Sequence, residues 1–344
     1  MNIRLLQTLR LLLFCLIAYL LCSLLMYQAN RAISYNQLMT LSRETIAQVQ
    51  DEFSALLRNQ SRTSVLVPVD ECVPRLNLTY PLRPDQPLEQ RWIIVITPTS
   101  RRRKRVTQFA DLTRLSQTLG WVRKVHWMVV EDQVSRTPYI ERLLARSHVA
   151  GYTHVAYPEQ NITHRQWNGR GMDQRSFALE LLRRHFQEGG FGANDGHVVY
   201  FADDDNSYDT RIFEHIRSVE HVGVWPVALV ATSLVEMPFA KGGKVLGWNV
   251  TWSGTSLRKF KSDMSGFAVS LRLVLHFRSA IFHNRCRGFA TFESCFLQLL
   301  HVCIDDLEPK TFDKRDNGGH REVLVWHTKS SGTGNNGGNF GFDV

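Results

Sequence analysis

Three consecutive carboxylates, Asp203, Asp204 and Asp205, close the apolar run HVVYFA at 197–202. Like charges at that spacing repel one another, and desolvation worsens the repulsion. A divalent cation relieves it, and an oxygen-only ligand set suits Mg²⁺ or Mn²⁺. Such an ion bridges two phosphates and neutralises charge on a departing nucleoside diphosphate. The competing reading is a solvated acidic turn or a helix N-cap, since Asp favours both. A second carboxylate, Glu293, sits in the apolar stretch FATFESCFL at 289–297. Partial desolvation there raises its pKa toward that of a general base. The bland alternative is a Glu capping a helix start. Asp263, in SDMSGFA at 262–268, either holds substrate hydroxyls or caps a helix. Candidate cations and polar partners for a diphosphate are Arg170, Arg175, Arg258, His327 and Lys329. His327 follows the apolar run VLVW at 323–326, so it is either a ligand at the same sheet edge or a packed histidine bonded to backbone.

The elements that position these residues read as an α/β sheet. WIIVIT at 92–97 is a short continuous apolar run, the signature of a strand buried on both faces, and Pro98 is expected to end it. Val106, Phe109, Leu112, Leu115 and Leu119 then recur at helical spacing. Further strands are expected at 126–130, 152–157, 197–201, 222–230 and 323–326, with a helix over 177–186. Alternation of strands and helices implies right-handed crossovers in a largely parallel sheet. Ligands of such sheets bind beyond the carboxyl ends of the strands, where the Asp203–Asp205 triplet falls.

The N-terminal part reads differently. Residues 1–10 form a short cytoplasmic tail, and 11–27, LLLFCLIAYLLCSLLMY, carry no charge and read as a transmembrane signal anchor. Arg4 and Arg10 precede it, which keeps the N-terminus cytoplasmic and the rest luminal. A cleaved signal peptide is the alternative, but the residues around Tyr27 make a poor cleavage site. Residues 28–90 read as a stem, with a short helix over 47–57 and five prolines from Pro68 to Pro87. Four cysteines follow the span: Cys72, Cys286, Cys295 and Cys303. A luminal compartment permits disulfides, and Cys72 is free to join two chains instead. Four sequons, at Asn59, Asn77, Asn161 and Asn249, agree with a luminal chain. The net charge of +9 suits an anionic partner, yet a luminal chain meets no nucleic acid, and the basic run Arg101 to Arg105 is short.

The string VVYFADDDNSYD at 198–209, followed by VWPVALV at 224–230, resembles the inverting β-1,3-glucuronyltransferases of proteoglycan linker and related glycan synthesis. ITPT at 96–99, LTRLSQTL at 112–119, HWMVVED at 126–132, GRGMDQRSFALELL at 169–182, DMSGFAVSLRLVL at 263–275, DLEPK at 306–310 and VLVWHT at 323–328 extend the resemblance in order over 92–328. It implies a GT-A-like nucleotide-diphospho-sugar transferase fold in two parts: a UDP-sugar-binding part over 91–215, and an acceptor-binding part with the C-terminal tail over 216–344. It implies Mn²⁺ held by Asp205, ribose contacted by Asp204, and a cluster supported by Asp203. Pro98 and Asp132 match positions around the uridine, and Arg170, Arg258 and His327 match positions near the glucuronate or diphosphate. Glu293 matches the base that deprotonates the galactose 3-hydroxyl, Asp263 an acid of the sugar site, and Glu236 one near the acceptor.

The implied partners are UDP-glucuronic acid and a galactose-terminated glycan. The implied setting is the Golgi membrane, as a type II homodimer whose tail reaches the other subunit's acceptor site. Arg pairs a donor carboxylate bidentately, which suits glucuronate. Four departures bear on activity, one of them the short Gly- and Asn-rich tail over 332–344, which bears on acceptor identity and dimer contacts. Ser100 stands where the family has a Tyr stacked on uracil, and Lys329 where it has an Arg. The segment 287–292 also differs from the family's glycine-rich lead-in to the base. They leave two alternatives: a broader acceptor range, or a weakly active glycan-binding or dimerising relative.

Overall fold

The computed structural model describes residues 16–22, 41–60, 87–100, 107–160, 171–187, 196–230, 233–250, 258–282, 291–311 and 322–328. The chain divides into two compact units, Met1–Thr40 and Leu41–Val344. In the first, residues 16–22 are helical and exposed. Among the described residues no helix is long and apolar enough to cross a membrane, and most of the expected anchor at 11–27 lies outside them.

The second unit is mixed α/β. Its main sheet has seven strands in the order β11-β6-β10-β4-β1-β2-β3. These are β1 (Ile93–Thr99), β2 (Val125–Glu131), β3 (Gly151–Ala156), β4 (Val198–Phe201), β6 (Val222–Val224), β10 (Phe267–Ser270) and β11 (Leu307–Pro309). β3, β2, β1 and β4 run parallel, and β10 inserts antiparallel between β4 and β6. The chain leaves β1 toward β2 and β3, then returns to β4 on the other side, so the topological switch lies between β1 and β4. A second sheet, β5-β12-β7-β8-β9, contains β5 (Ser207–Tyr208), β7 (Val227–Val230), β8 (Ser233–Lys241), β9 (Lys244–Asn249) and β12 (Val325–Trp326).

The apolar runs became strands because both faces of the main sheet are covered. Ile93, Ile94, Val95 and Ile96 are all fully buried, so no alternation is visible in the sequence. On one face, helices α2 (Gln108–Gly120), α3 (Pro138–Arg146) and α5 (Arg211–Arg217) close a core around Leu112, Leu115, Ile140, Leu144, Ile212 and Phe213. Helix α4 (Met172–Gln187) buries Phe177, Leu181 and Leu182, and the short α6 (Leu271–His276) follows β10. Onto it packs α1 (Arg43–Gln60), whose Phe53 lies 5.6 Å from the Tyr157 ring and 6.1 Å from that of Phe177. Val49 is buried with it, and Arg184 of α4 pairs with Glu52.

Two expectations are corrected. Pro98 does not end β1, which continues paired to β2 through Thr99. β4 pairs with β1 only as far as Ile96, so the N–H that Pro98 lacks takes no bond out of the ladder. The run 222–230 is not one strand. Trp225 and Pro226 divide it, sending β6 into the first sheet and β7 into the second.

Candidate active site

The carboxyl ends of β1, β2 and β4 meet at one edge of the main sheet, and each carries a polar residue there. After β2, the Asp132 N–H donates to the Thr99 carbonyl at 2.8 Å, and its Oδ1 accepts from the Glu159 N–H at 2.8 Å. Ser100 donates to Asp132 Oδ2 only at 3.4 Å, a long contact. Pro98 faces Gly171, where an added Cβ would lie 2.8 Å from the proline ring; with φ at +75°, the start of α4 admits only glycine. Arg170, one residue earlier, lies outside the described residues, as does Lys329.

The acidic triplet is held open by separate partners. Arg175, buried on α4, pairs with Asp203 Oδ1, and Tyr208 donates its hydroxyl to the Asp203 carbonyl at 2.9 Å. Asp204 Oδ2 accepts from Thr99 Oγ1 at 2.7 Å. That hydroxyl in turn accepts from Gln108 Nε2 at 3.0 Å, and Gln108 Oε1 accepts from the Tyr139 hydroxyl. The Asp205 carbonyl accepts from Arg114 Nη2 at 2.8 Å and from Thr328 Oγ1 at 2.6 Å. Asn206 reaches across to Ser265 Oγ at 2.7 Å, and the Ser265 N–H donates to Asp263 Oδ1 at 2.9 Å. Tyr200 and Trp225 both donate to the Ser265 carbonyl, at 3.0 and 2.9 Å. The triplet and the Asp263 turn are therefore one hydrogen-bonded assembly.

The remaining candidates converge on this edge. Glu293 lies in the first turn of α7 (Phe292–Leu299), which aims its carboxylate from the helix start. Part of the side chain is accessible, but Oε2 is sealed and makes no hydrogen bond. Burial raises its pKa to about 7; the Arg258 cation opposes the rise, and Asp263 adds to it. Ser294, next in sequence, accepts from the Phe260 N–H at 3.1 Å and ties α7 to the segment bearing Arg258. Arg258 is buried, donates to the Ser262 carbonyl at 2.7 Å, and leaves its Nε without a hydrogen bond. Asp263 is raised by burial, which His327 opposes and Asp203 reinforces. Glu236 comes from β8 opposite Val227; it too is raised by burial, offset by Arg258 and His327. His327 is fixed by its backbone N–H to the Ala228 carbonyl at 2.8 Å, while its Nδ1 is buried without a partner. Glu236 Oε2 is in the same position. Groups this expensive to leave unpaired mark a place where a polar ligand completes the bonding.

Among the described residues, no group of three His, Cys, Asp or Glu side chains forms a closed metal cage. Asp203 and Asp204 already serve Arg175 and Thr99. The donor set therefore fits a hard cation that takes one or two carboxylates and completes its shell with phosphate oxygens. The residues without an assigned role in the sequence were Thr99, Gln108, Arg114, Ser265 and Thr328. Four of them lie inside the quoted motifs, but their bonds are to groups far away in sequence.

The profile described as Glycosyltransferase family 43 matches residues 115–331. Galactosylgalactosylxylosylprotein 3-beta-glucuronosyltransferase 2 of Rattus norvegicus is 39% identical over 238 residues, covering 69% of this chain and 68% of that protein. Galactosylgalactosylxylosylprotein 3-beta-glucuronosyltransferase 1 of Homo sapiens is 40% identical over 245 residues, covering 69% of each. The crystal structure of S. aureus TarS 1–349 in complex with UDP aligns at 14% identity over 70% of this chain and 61% of that one, with a TM-score of 0.40, too low to speak for a shared fold.

Proposed function

The chain belongs to glycosyltransferase family 43, and from that we propose that it transfers glucuronic acid from UDP-glucuronic acid to the 3-hydroxyl of a terminal galactose, with inversion. The acceptor is the galactosyl-galactosyl-xylosyl linker that the relatives' names print. The observation that carries the reading is Glu293: a carboxylate with a sealed, unbonded oxygen and a pKa of about 7, beside Arg258 and Asp263.

Glu293 Oε2 takes the proton of the attacking hydroxyl, its pKa being matched to neutral pH. Asp263 and Glu236 hold acceptor and sugar hydroxyls, and Arg258 and His327 hold the donor's anionic groups. Pro98 and Asp132 flank the uridine, Asp204 the ribose, and Asp203 keeps Arg175 in register. Asp205 is the residue of the triplet that would hold Mn²⁺. When bound, the ion neutralises charge on the leaving diphosphate, so no second protein acid is needed. The GT-A-like fold, the homodimer, the Cys72 link and the type II Golgi topology belong to the same reading. Cys295 and Cys303, both disulfide-bonded, support an oxidising compartment.

Ser100 carries no ring to stack on uracil where the family resemblance implies a Tyr, and weaker donor binding is expected from it. The test is glucuronate transfer to galactose-β-1,3-galactose by the full-length protein, with and without Mn²⁺, beside Glu293→Gln. Mn²⁺-dependent transfer lost in the variant is expected. Unchanged transfer by Glu293→Gln overturns the base, and no UDP binding overturns the site.

A further inference from the structure

The opposite end of the main sheet holds an unexplained cation. Arg91, two residues before Ile93, is only 6% exposed, and its Nε and Nη1 have no hydrogen-bond partner among the described residues. Among the described residues no carboxylate lies within ion-pair distance of it. Its own carbonyl is taken by Arg217 Nη1, whose Nη2 donates to the Arg123 carbonyl at 2.5 Å, so the backbone is clamped while the guanidinium is not.

Strand alternation places Arg91 on the same face as Ile93, and the register sets Ile93 beside Val198 and Val198 beside Ser270. Ser270 is 2% exposed, and its Oγ also has no partner. Arg272 follows two residues later, buried, donating to the Glu220 carbonyl at 3.3 Å. The charges facing this spot are mostly positive. Arg91 and Arg272 repel one another, Glu220 attracts Arg272, and Glu214 serves Arg217. Lys124 and Arg91 both oppose protonation of His197, whose Nδ1 accepts from the Trp92 N–H at 3.1 Å. The two acidic groups thus answer Arg272 and Arg217 and leave Arg91 unanswered. Buried water satisfies N–H groups but not a buried charge, and a buried guanidinium without a counter-ion is strongly disfavoured.

We propose that Arg91, Ser270 and Arg272 line a site for one small tetrahedral oxyanion, sulfate or phosphate, free or as a terminal ester, at the end of the sheet away from the candidate active site. An oxyanion accepts from guanidinium and hydroxyl donors at once and supplies the missing charge. The inference does not depend on glucuronyl transfer.

The experiment is thermal unfolding of the full-length protein in sodium sulfate or phosphate against sodium chloride at matched ionic strength, for wild type and Arg91→Met. Wild type is expected to show a saturable rise of about 5 °C at 100-fold excess over Kd. The general stabilisation by excluded sulfate does not saturate and is shared by the variant. In chloride, Arg91→Met is expected to unfold at or above the wild-type temperature, because it removes an unpaired buried charge. Glucose 6-phosphate beside glucose separates the sources: a saturable rise with the ester points to a ligand that carries it, and a rise with the inorganic ions alone points to the free anion. The same saturable rise in Arg91→Met, or no saturable rise in wild type with any of these anions, overturns the proposal. Should Arg91→Met not fold, Arg91→Lys serves in its place, with a weaker saturable rise expected and an undiminished one counting against the site.

Discussion

At the scale of single residues, Glu293 carries the sharpest consequences. A base acts only when deprotonated, so the transfer rate is expected to fall tenfold per pH unit below about 7 and to level off above it, as a pH–rate profile would show. Glu293→Gln is expected to lower kcat by about 10²–10⁴-fold while leaving UDP affinity within a factor of two or three. The stability effect has the opposite sign. The folded-state pKa lies above the unfolded value, so the protonated form is favoured by folding. Its stability is fully present below about pH 4.5 and is lost as pH rises through about 7. Glu293→Gln, neutral at every pH, should therefore be more stable than wild type at pH 8, by on the order of 2 kcal/mol, and no more stable at pH 4. Chemical denaturation at the two pH values checks this. Arg258 holds the Glu293 pKa down, so Arg258→Met should move the acid limb of the profile to higher pH in addition to weakening donor binding.

At the scale of elements, the site depends on bonds that cross between them. Thr99 at the end of β1 holds Asp204 at the end of β4, with Gln108 of α2 and Tyr139 of α3 behind it. Arg114 of α2 and Thr328 after β12 clamp the Asp205 carbonyl. Thr328→Val removes one clamp without changing side-chain shape. It is expected to weaken UDP binding in the presence of Mn²⁺ by about 3–10-fold, the worth of one hydrogen bond, and calorimetric titration reads it directly. The strands bearing Asp132 and the triplet were legible in the sequence, because a strand buried on both faces leaves a continuous apolar run that few other structures share. The hairpin β8–β9, which carries Glu236, was not. Its pattern mixes exposed Leu234, Phe239 and Leu246 with a buried Glu236 and a proline, so it lacks a clean period of two. Helix α5 was equally hidden, only seven residues long and with a buried arginine on its inner face. Thr99, Gln108 and Thr328 escaped notice for another reason. A hydroxyl or amide carries no sign of its partner, and those partners lie as far as 123 residues away.

At the scale of the whole molecule, the candidate site is a joint product of both sheets. β1, β2 and β4 supply its nucleotide-facing edge, while β8 and the residue after β12 supply Glu236 and His327. The proposed base, Glu293, rests on the short helix α7, eight residues long, too short to hold its place by intrinsic propensity. What fixes it is packing of Phe296 against Phe282 at 4.3 Å, the Ser294 bond to the Phe260 N–H, and the disulfide at Cys295, two residues beyond Glu293. A second disulfide-bonded cysteine, Cys303, follows the helix by four residues. Covalent bonding at both places couples the geometry of Glu293 to the redox state of its surroundings. Reduction is therefore expected to act on the acceptor half of the reaction first. Mild dithiothreitol treatment should lower kcat for glucuronyl transfer by about tenfold or more while UDP binding persists, because Asp204 and Asp205 are held by hydrogen bonds that reduction leaves intact. Loss of UDP binding in parallel with kcat would show instead that disulfide bonding stabilises the whole unit rather than the helix bearing Glu293, and unchanged kcat in fully reduced protein would show that packing alone positions Glu293.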